Sequence, residues 1–276
     1  MSNQPGVLAG LHIVELPPRR APSDAAEAAS QTSTRQEAGL EFDSPTVIFV
    51  HGSLDRSTSF MRTARRLEDL AVVIYDRRGY SRSRALKPVA TDIETHVEDL
   101  FDVIAGRQVV VVGHSLGGLI ALAAAQRDPD LVRAVGAFEA PLPWYDWWPN
   151  RSRAFISEDP GDFAQGFFER VAGAGSWARL SEKGKTARRA DGPALVAELA
   201  AIRADRALVD LELIRVPTFA GRGSKSLEHH RHAAGIVAQT VPGAQLIEIE
   251  GAAHGAHLTH PDAFATMVRS VVGGAR

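Results

Sequence analysis

The chain has 276 residues, of which 45% are hydrophobic and 23% charged, and 31 basic against 33 acidic side chains leave a net charge of −2. That length suits a single core carrying an insertion, and the near-neutral charge favours neither nucleic acid nor an anionic membrane surface as a partner. The absence of cysteine excludes a disulfide scaffold, thiolate metal sites and a cysteine nucleophile. No apolar run reaches the ~18 residues of a membrane span. The opening MSNQPGVLAG lacks the basic and long apolar regions of a secretory signal, so a cytoplasmic protein is expected.

Residues 7–17 read as a strand closed by Pro17-Pro18. Residues 19–38 are polar, small and aperiodic, as a mobile excursion between two early strands would be. Regular alternation then begins. TVIFV (46–50) reads as a strand buried on both faces, 57–69 as a helix, AVVIY (71–75) as a strand and 92–105 as an amphipathic helix. QVVVVG (108–113) is the most buried-looking strand, followed by an apolar helix over 116–126 and a strand over 131–140. The alternation stops between Pro141 and about Arg206, a helical block that carries all four tryptophans: Trp144, Trp147, Trp148 and Trp177. It resumes with a strand at 214–221, a helix near 228–240, a strand at 244–250 and a last helix near 261–272. The expectation is an α/β protein with a mostly parallel sheet covered on both faces. Its core is 1–140 with 207–276, and 141–206 is a helical insertion.

Three short stretches carry chemistry. In Gly113-His114-Ser115-Leu116-Gly117 a serine sits between a buried strand and an apolar helix, at a turn that glycines make passable. The helix amides beginning at Leu116 point toward charge developing near that serine. The alternative is an ordinary strand–turn–helix. His51-Gly52-Ser53 follows the strand TVIFV, at the strand end where parallel sheets place ligand loops. The amide of Ser53 can pair with that of Leu116 as an oxyanion hole. His51 reads as a loop-structuring residue and is kept as a pocket candidate. His254, in the small-residue loop Gly251-Ala252-Ala253-His254, is the first histidine after the last strand and is the candidate base for the serine, with His257 as competitor.

VIFVHGS (47–53), YDRRGYSRS (75–83), VVVVGHSLGG (109–118), IRVPTFAGRGS (214–224) and GAAHGAHLTHP (251–261) together resemble the α/β-hydrolase fold superfamily in order and spacing. The resemblance covers nearly the whole chain from about residue 7. It implies Ser115 as nucleophile, His254 as base and the Ser53 and Leu116 amides as oxyanion hole. It also implies that 141–206 is a cap inserted after the sixth strand. The serine separates the chain from haloalkane dehalogenases and epoxide hydrolases, which are similar but place Asp there.

One position departs from the pattern. The commonest family acid is an Asp three residues beyond the Gly that ends the 214–221 strand, and here that residue is Ser224. Glu139, at the end of the 131–138 strand, is the candidate replacement, since some superfamily members carry the acid there and both strand ends flank one crevice. Glu228, a Ser–His dyad or a water-assisted site are the alternatives, and Glu139 serving only to brace the cap or an arginine is the structural one. Asp76-Arg77-Arg78-Gly79 reads as a structural turn, and Asp55 and Arg56 can line the pocket entrance. Trp144, Trp147 and Trp148 read as a pocket roof or cap core. His229, His230 and His232 lack carboxylates at metal spacing and read as helix-surface residues.

The expectation is a serine hydrolase that needs no cofactor or metal and acts on a small-molecule carboxylic ester or related acyl compound. A carbon–carbon bond hydrolase, lactonase or perhydrolase would keep the same residues, and a non-catalytic ligand-binding member is the rival of another class. The oligomeric state is left open.

Overall fold

The apolar runs TVIFV, VVIYD and VVVVGH become neighbouring strands at the centre of one sheet. The computed structural model describes residues 6–8, 10–19, 45–149, 159–173, 175–203 and 206–275. The strands are β1 (Gly6–Leu8), β2 (Leu11–Leu16), β3 (Thr46–Val50), β4 (Val72–Asp76), β5 (Val109–His114), β6 (Val132–Phe138), β7 (Thr218–Gly223) and β8 (Gln245–Ile249). Their order in space is β1-β2-β4-β3-β5-β6-β7-β8. The pairs from β4 to β8 are parallel, while β1 and β2 join as an antiparallel edge.

The helices are α1 (Met61–Ala64), α2 (Ile93–Ile104), α3 (Leu116–Arg127), α4 (Pro160–Ala172), α5 (Glu182–Ala190), α6 (Gly192–Ala201), α7 (Glu228–Thr240), α8 (Ala256–Thr259) and α9 (Pro261–Gly274). Side chains alternate across the central strands, as the two-residue period of a strand requires. Ile48, Val50, Val73 and Val111 meet α2, α3 and α7 on one face. Val47, Phe49, Val72, Val110 and Val112 meet Phe60, Phe264, Val268 and Val271 on the other. A sheet buried on both faces needs continuous apolar strands, which is why these runs show no polar alternation.

Some elements differ from the sequence reading. The stretch 7–17 is a hairpin rather than one strand, turning at Gly10 with φ +85°. The polar segment 19–38 lies outside the described residues from residue 20 onward. The stretch 57–69 holds only a 3-10 turn (Ser57–Phe60) and the four-residue α1, followed by i→i+3 bonds from Arg66 to Thr63 and Leu67 to Ala64. Those tighter turns put Ala64, Leu67 and Leu70 on one buried side at a spacing of three. β7 starts at Thr218 instead of residue 214, because Pro217 has no amide to donate, and it runs on to Gly223 beside Ile249.

Between β6 and β7 the described residues hold α4, α5 and α6. α4 and α6 pack through Ala164 and Leu195, and Leu54 from the loop after β3 joins that cluster with Phe163, Phe167 and Phe168. No helix among the described residues is long and apolar enough to cross a membrane.

The strand order fixes where a site can form. The chain runs from β3 out to β4 and then crosses back to β5 on the opposite side of β3. The loops leaving β3 and β5 therefore diverge, opening a crevice at the carboxyl ends of the strands. Val50 lies opposite Gly113 in that pairing, which brings the residues that follow each into contact.

Candidate active site

Ser115 joins β5 to α3 with φ 54° and ψ −125°, a conformation that non-glycine residues rarely hold. The turn is passable only because its neighbours lack side chains: a Cβ on Gly113 would sit 2.0 Å from Gly117 O, and one on Gly117 would sit 2.0 Å from Val50 O. Leu54 (φ 53°) and Glu139 (φ 49°) are also left-handed, so three of the five such non-glycine residues among the described ones follow β3, β5 and β6, the others being Ser81 and Ala105. Strain of that kind persists only where the surroundings enforce it, and it clusters at functional sites.

Glu139 is fully buried, and its carboxylate has two donors. Oε1 accepts from the Gly223 amide at 2.8 Å, and Oε2 lies 2.6 Å from His254 Nδ1. Facing a carboxylate, Nδ1 carries the imidazole proton, which leaves the lone pair on Nε2. Ser224 is otherwise engaged: its Oγ accepts from the Gly251 amide at 2.9 Å and so ties the end of β7 to the loop carrying His254. Glu228 is exposed at the start of α7. Among the described residues no hydrogen bond reaches Ser115 Oγ.

The loop after β3 lies against the serine. A Cβ on Gly52 would come 3.0 Å from Ser115 Cβ, so the adjacent Ser53 and the first turn of α3 at Leu116 border the same point. The loop is held from behind. His51 is buried, its Nδ1–H donates to Gly52 O at 2.8 Å and its Nε2 accepts from the Arg77 amide at 2.9 Å. Arg77 Nε and Nη2 donate to His51 O at 2.8 Å and Gly52 O at 3.0 Å. Its Nη1 reaches Glu198 Oε2 on α6 at 3.0 Å. Asp76 accepts from the Ser57 and Arg82 amides, which closes the turn after β4.

Sequence reasoning missed two groups. His230 on α7 is not a surface residue: its ring stacks on His254, with centroids 4.1 Å apart and planes 17° apart, and burial pushes its pKa down. His229 is half-buried beside it and meets Trp148 edge-on at 5.0 Å, and exposed His232 meets Trp147 at 4.4 Å. Trp144, Trp147 and Trp148 thus lie half-buried against the core, the latter two along α7, with Trp148 also 5.9 Å from the His230 ring. Glu198 is the second missed group, since nothing near it in sequence marks it as the partner of Arg77.

His257 is also buried. It sits against Phe60 and Phe264, with Nε2 3.3 Å from Asp55 Oδ2. Burial acts to raise the Asp55 pKa, but His257 outweighs it and holds the carboxyl well below its usual range.

Burial lowers the pKa of His51 to about 4, with Arg77 adding to the effect. Burial likewise holds His96 and His114 well below the ordinary histidine value. These rings stay neutral in the folded protein but protonate in the unfolded chain below about pH 6.5. Stability is therefore expected to fall as pH drops from about 6.5 toward about 4, by about 1.4 kcal/mol per pH unit for each such histidine. Urea unfolding midpoints across that range measure it, and a flat profile contradicts the burial of these rings.

The sequence profile of the alpha/beta hydrolase family matches residues 47–267. A 2-(acetamidomethylene)succinate hydrolase of Mesorhizobium japonicum is 34% identical over 100 residues, 34% of this chain and 35% of that protein, so the match spans about a third of that relative. Among solved structures, an enol-lactonase from Burkholderia xenovorans LB400 superposes with a TM-score of 0.71 at 19% identity, covering 98% of this chain and 100% of that one. The carboxylesterase CesB from Bacillus subtilis gives 0.69 at 18% identity, covering 96% and 88%. At such identities the likeness is one of fold.

Proposed function

The chain belongs to the alpha/beta hydrolase family, and from that premise we propose that it is a serine hydrolase that cleaves a carboxylic ester or related acyl compound through an acyl-enzyme on Ser115. The observation that carries this reading is the buried Glu139–His254 pair at 2.6 Å, set beside a serine in a left-handed turn. Ser115 Oγ adds to the acyl carbon while its proton passes to His254 Nε2. The amides of Ser53 and Leu116 hold the oxyanion, a contribution worth about 10²–10³ in rate for each donor. Collapse expels the leaving group, which takes the proton from His254. Water then attacks the acyl-enzyme by the same route and releases the acid. Catalytic hydrogen bonds are often long before substrate binds, which accounts for the unengaged Ser115 Oγ.

In this reading the described residues between Pro141 and Arg206 form the cap, and Trp148 meets His229 and His230, the second of which stacks on the base. That favours a small to medium apolar or aromatic acyl group. No step calls for a cofactor, and the reaction is assigned to the cytoplasm. The name of the Mesorhizobium relative makes amide-like acyl compounds the second substrate class to assay.

A fluorophosphonate tests the reading through intact mass. Wild type is expected to gain one adduct, and Ser115→Ala none. A wild type that stays unlabelled overturns the serine-hydrolase assignment in favour of a ligand-binding member of the fold.

A further inference from the structure

Behind the nucleophile turn, three side chains from separate segments converge. Asp55 comes from the loop after β3, His114 from the end of β5 and His257 from α8. One ligand-type atom from each lies within 4.8 Å of the others. We propose that Asp55, His114 and His257 form a binding site for a divalent transition-metal ion of the zinc class, distinct from the Ser115–His254–Glu139 centre.

The hydrogen bonding around the cluster supports this. His114 Nε2–H donates to the carbonyl of His254 at 2.8 Å, which leaves the lone pair on Nδ1. That Nδ1 is buried with no hydrogen-bond partner and faces the loop carrying Asp55, 3.1 Å from where a Cβ on Gly52 would stand. His257 Nε2, in a side chain only 2% exposed, has no aligned hydrogen bond although Asp55 Oδ2 is 3.3 Å away. Buried polar atoms without partners are uncommon, and His114 Nδ1 is one, set beside the His257–Asp55 pair where a shared cation would engage all three. Zinc-class ions take imidazole nitrogen and carboxylate oxygen at about 2.0–2.2 Å.

The outer contacts of His114 and Asp55 are those of metal ligands, while His257 Nδ1 is buried without a hydrogen-bond partner. A metal-bound histidine usually donates its second nitrogen to a carbonyl or carboxylate, as His114 does to His254 O. The ligating carboxylate is itself hydrogen-bonded, here by Ser59 Oγ at 2.9 Å. Asp55 Oδ2 and His257 Nε2, 3.3 Å apart, match the roughly 3.4 Å between ligands of a tetrahedral ion with bond lengths of about 2.0–2.1 Å, and the remaining gap is to His114, within 4.8 Å of both. Asp55, 18% exposed and on a loop, is the ligand free to close that gap and the route by which an ion enters.

The other cluster of ligand-type atoms, Glu139, His230 and His254, does not fit a metal. Its two imidazoles are stacked face to face, so in-plane lone pairs point past one another. In the Asp55 cluster the His114 and His257 rings are comparably close, with centroids 4.2 Å apart, but tilted by 44°. A bound ion would cross-link the oxyanion loop, the nucleophile strand and the segment after the base. It would therefore raise thermal stability, whether or not Ser115 is the nucleophile.

The test strips the full chain with chelator, dialyses it against Zn²⁺ and reads metal content, calorimetric affinity and Tm, with Co²⁺ absorption reporting geometry. Wild type is expected to retain one equivalent, gain Tm and show a four-coordinate cobalt spectrum. Asp55→Asn and His257→Phe, the latter keeping an aromatic ring against Phe60 and Phe264, are expected to lose at least tenfold in affinity. His230→Phe should bind as wild type does. Sub-stoichiometric retention by wild type overturns the proposal. Undiminished binding by Asp55→Asn overturns it too, and that variant decides the question even should His257→Phe not fold. Loss of binding in His230→Phe alone moves the ion to the stacked cluster and equally overturns it.

Discussion

Glu139→Gln is expected to lower turnover by about 10⁴ while leaving KM and the fold nearly unchanged, the size of effect seen when a triad carboxylate becomes an amide. The amide is nearly isosteric, and its oxygen can still accept from the Gly223 amide. What changes is the other end. An NH₂ facing His254 Nδ1 donates where the carboxylate accepted, so the imidazole must carry its proton on Nε2. In the proposed mechanism that nitrogen can then no longer take a proton from Ser115. The negative charge that stabilises the imidazolium is lost as well. Steady-state hydrolysis of an activated ester and the rate of fluorophosphonate labelling both read the effect. Ser224→Asp in the Glu139→Gln background puts a carboxylate at the commoner family position, and a partial return of activity would mark the requirement as charge beside His254 rather than one residue. Unchanged kcat in Glu139→Gln would remove Glu139 from the mechanism.

That Glu139 could be singled out from sequence, while His230 and Glu198 could not, has a physical cause. A charged residue closing an apolar strand stands out by local contrast, because a buried carboxylate needs a partner. The strands and the serine turn were legible for a related reason: burial on both faces forces continuous apolar runs, and the tight turn forces glycines. Glu198 lies on a helix with Ala and Leu around it, and its partner is 121 residues away. His230 belongs to a run of exposed-looking histidines, and only the packing of α7 on the loop of His254 turns its ring onto the base. The 57–69 stretch carries apolar residues at a spacing that either an α-helix or successive 3-10 turns can use, and packing against Phe49 and Phe264 selected the tighter one.

Glu198→Ala is expected to destabilise the protein by about 3–5 kcal/mol, because it leaves the Arg77 guanidinium buried without a counter-charge. Arg77 and Glu198 are 1% and 2% exposed. Among the described residues Glu198 is the one carboxylate paired with Arg77; it also accepts from Tyr80 OH, and His96, 3.7 Å away, is held neutral by burial. Against a typical total of about 5–15 kcal/mol such a loss is large, and urea unfolding reads it directly. The activity should fall too, for a separate reason. Arg77 fixes the carbonyls of His51 and Gly52, the two residues before the Ser53 amide. A guanidinium released from Glu198 relaxes that loop, and if Ser53 is the oxyanion donor proposed above, losing its alignment costs about 10²–10³ in kcat. The two effects separate in Arg77→Met/Glu198→Leu. With neither charge buried, much of the stability is expected to return. The carbonyls of His51 and Gly52 stay unheld, so kcat is expected to remain low with KM little changed. Recovery of kcat together with stability in the double variant would reduce the pair to a structural tie, and α6 would then have no hold on the oxyanion loop.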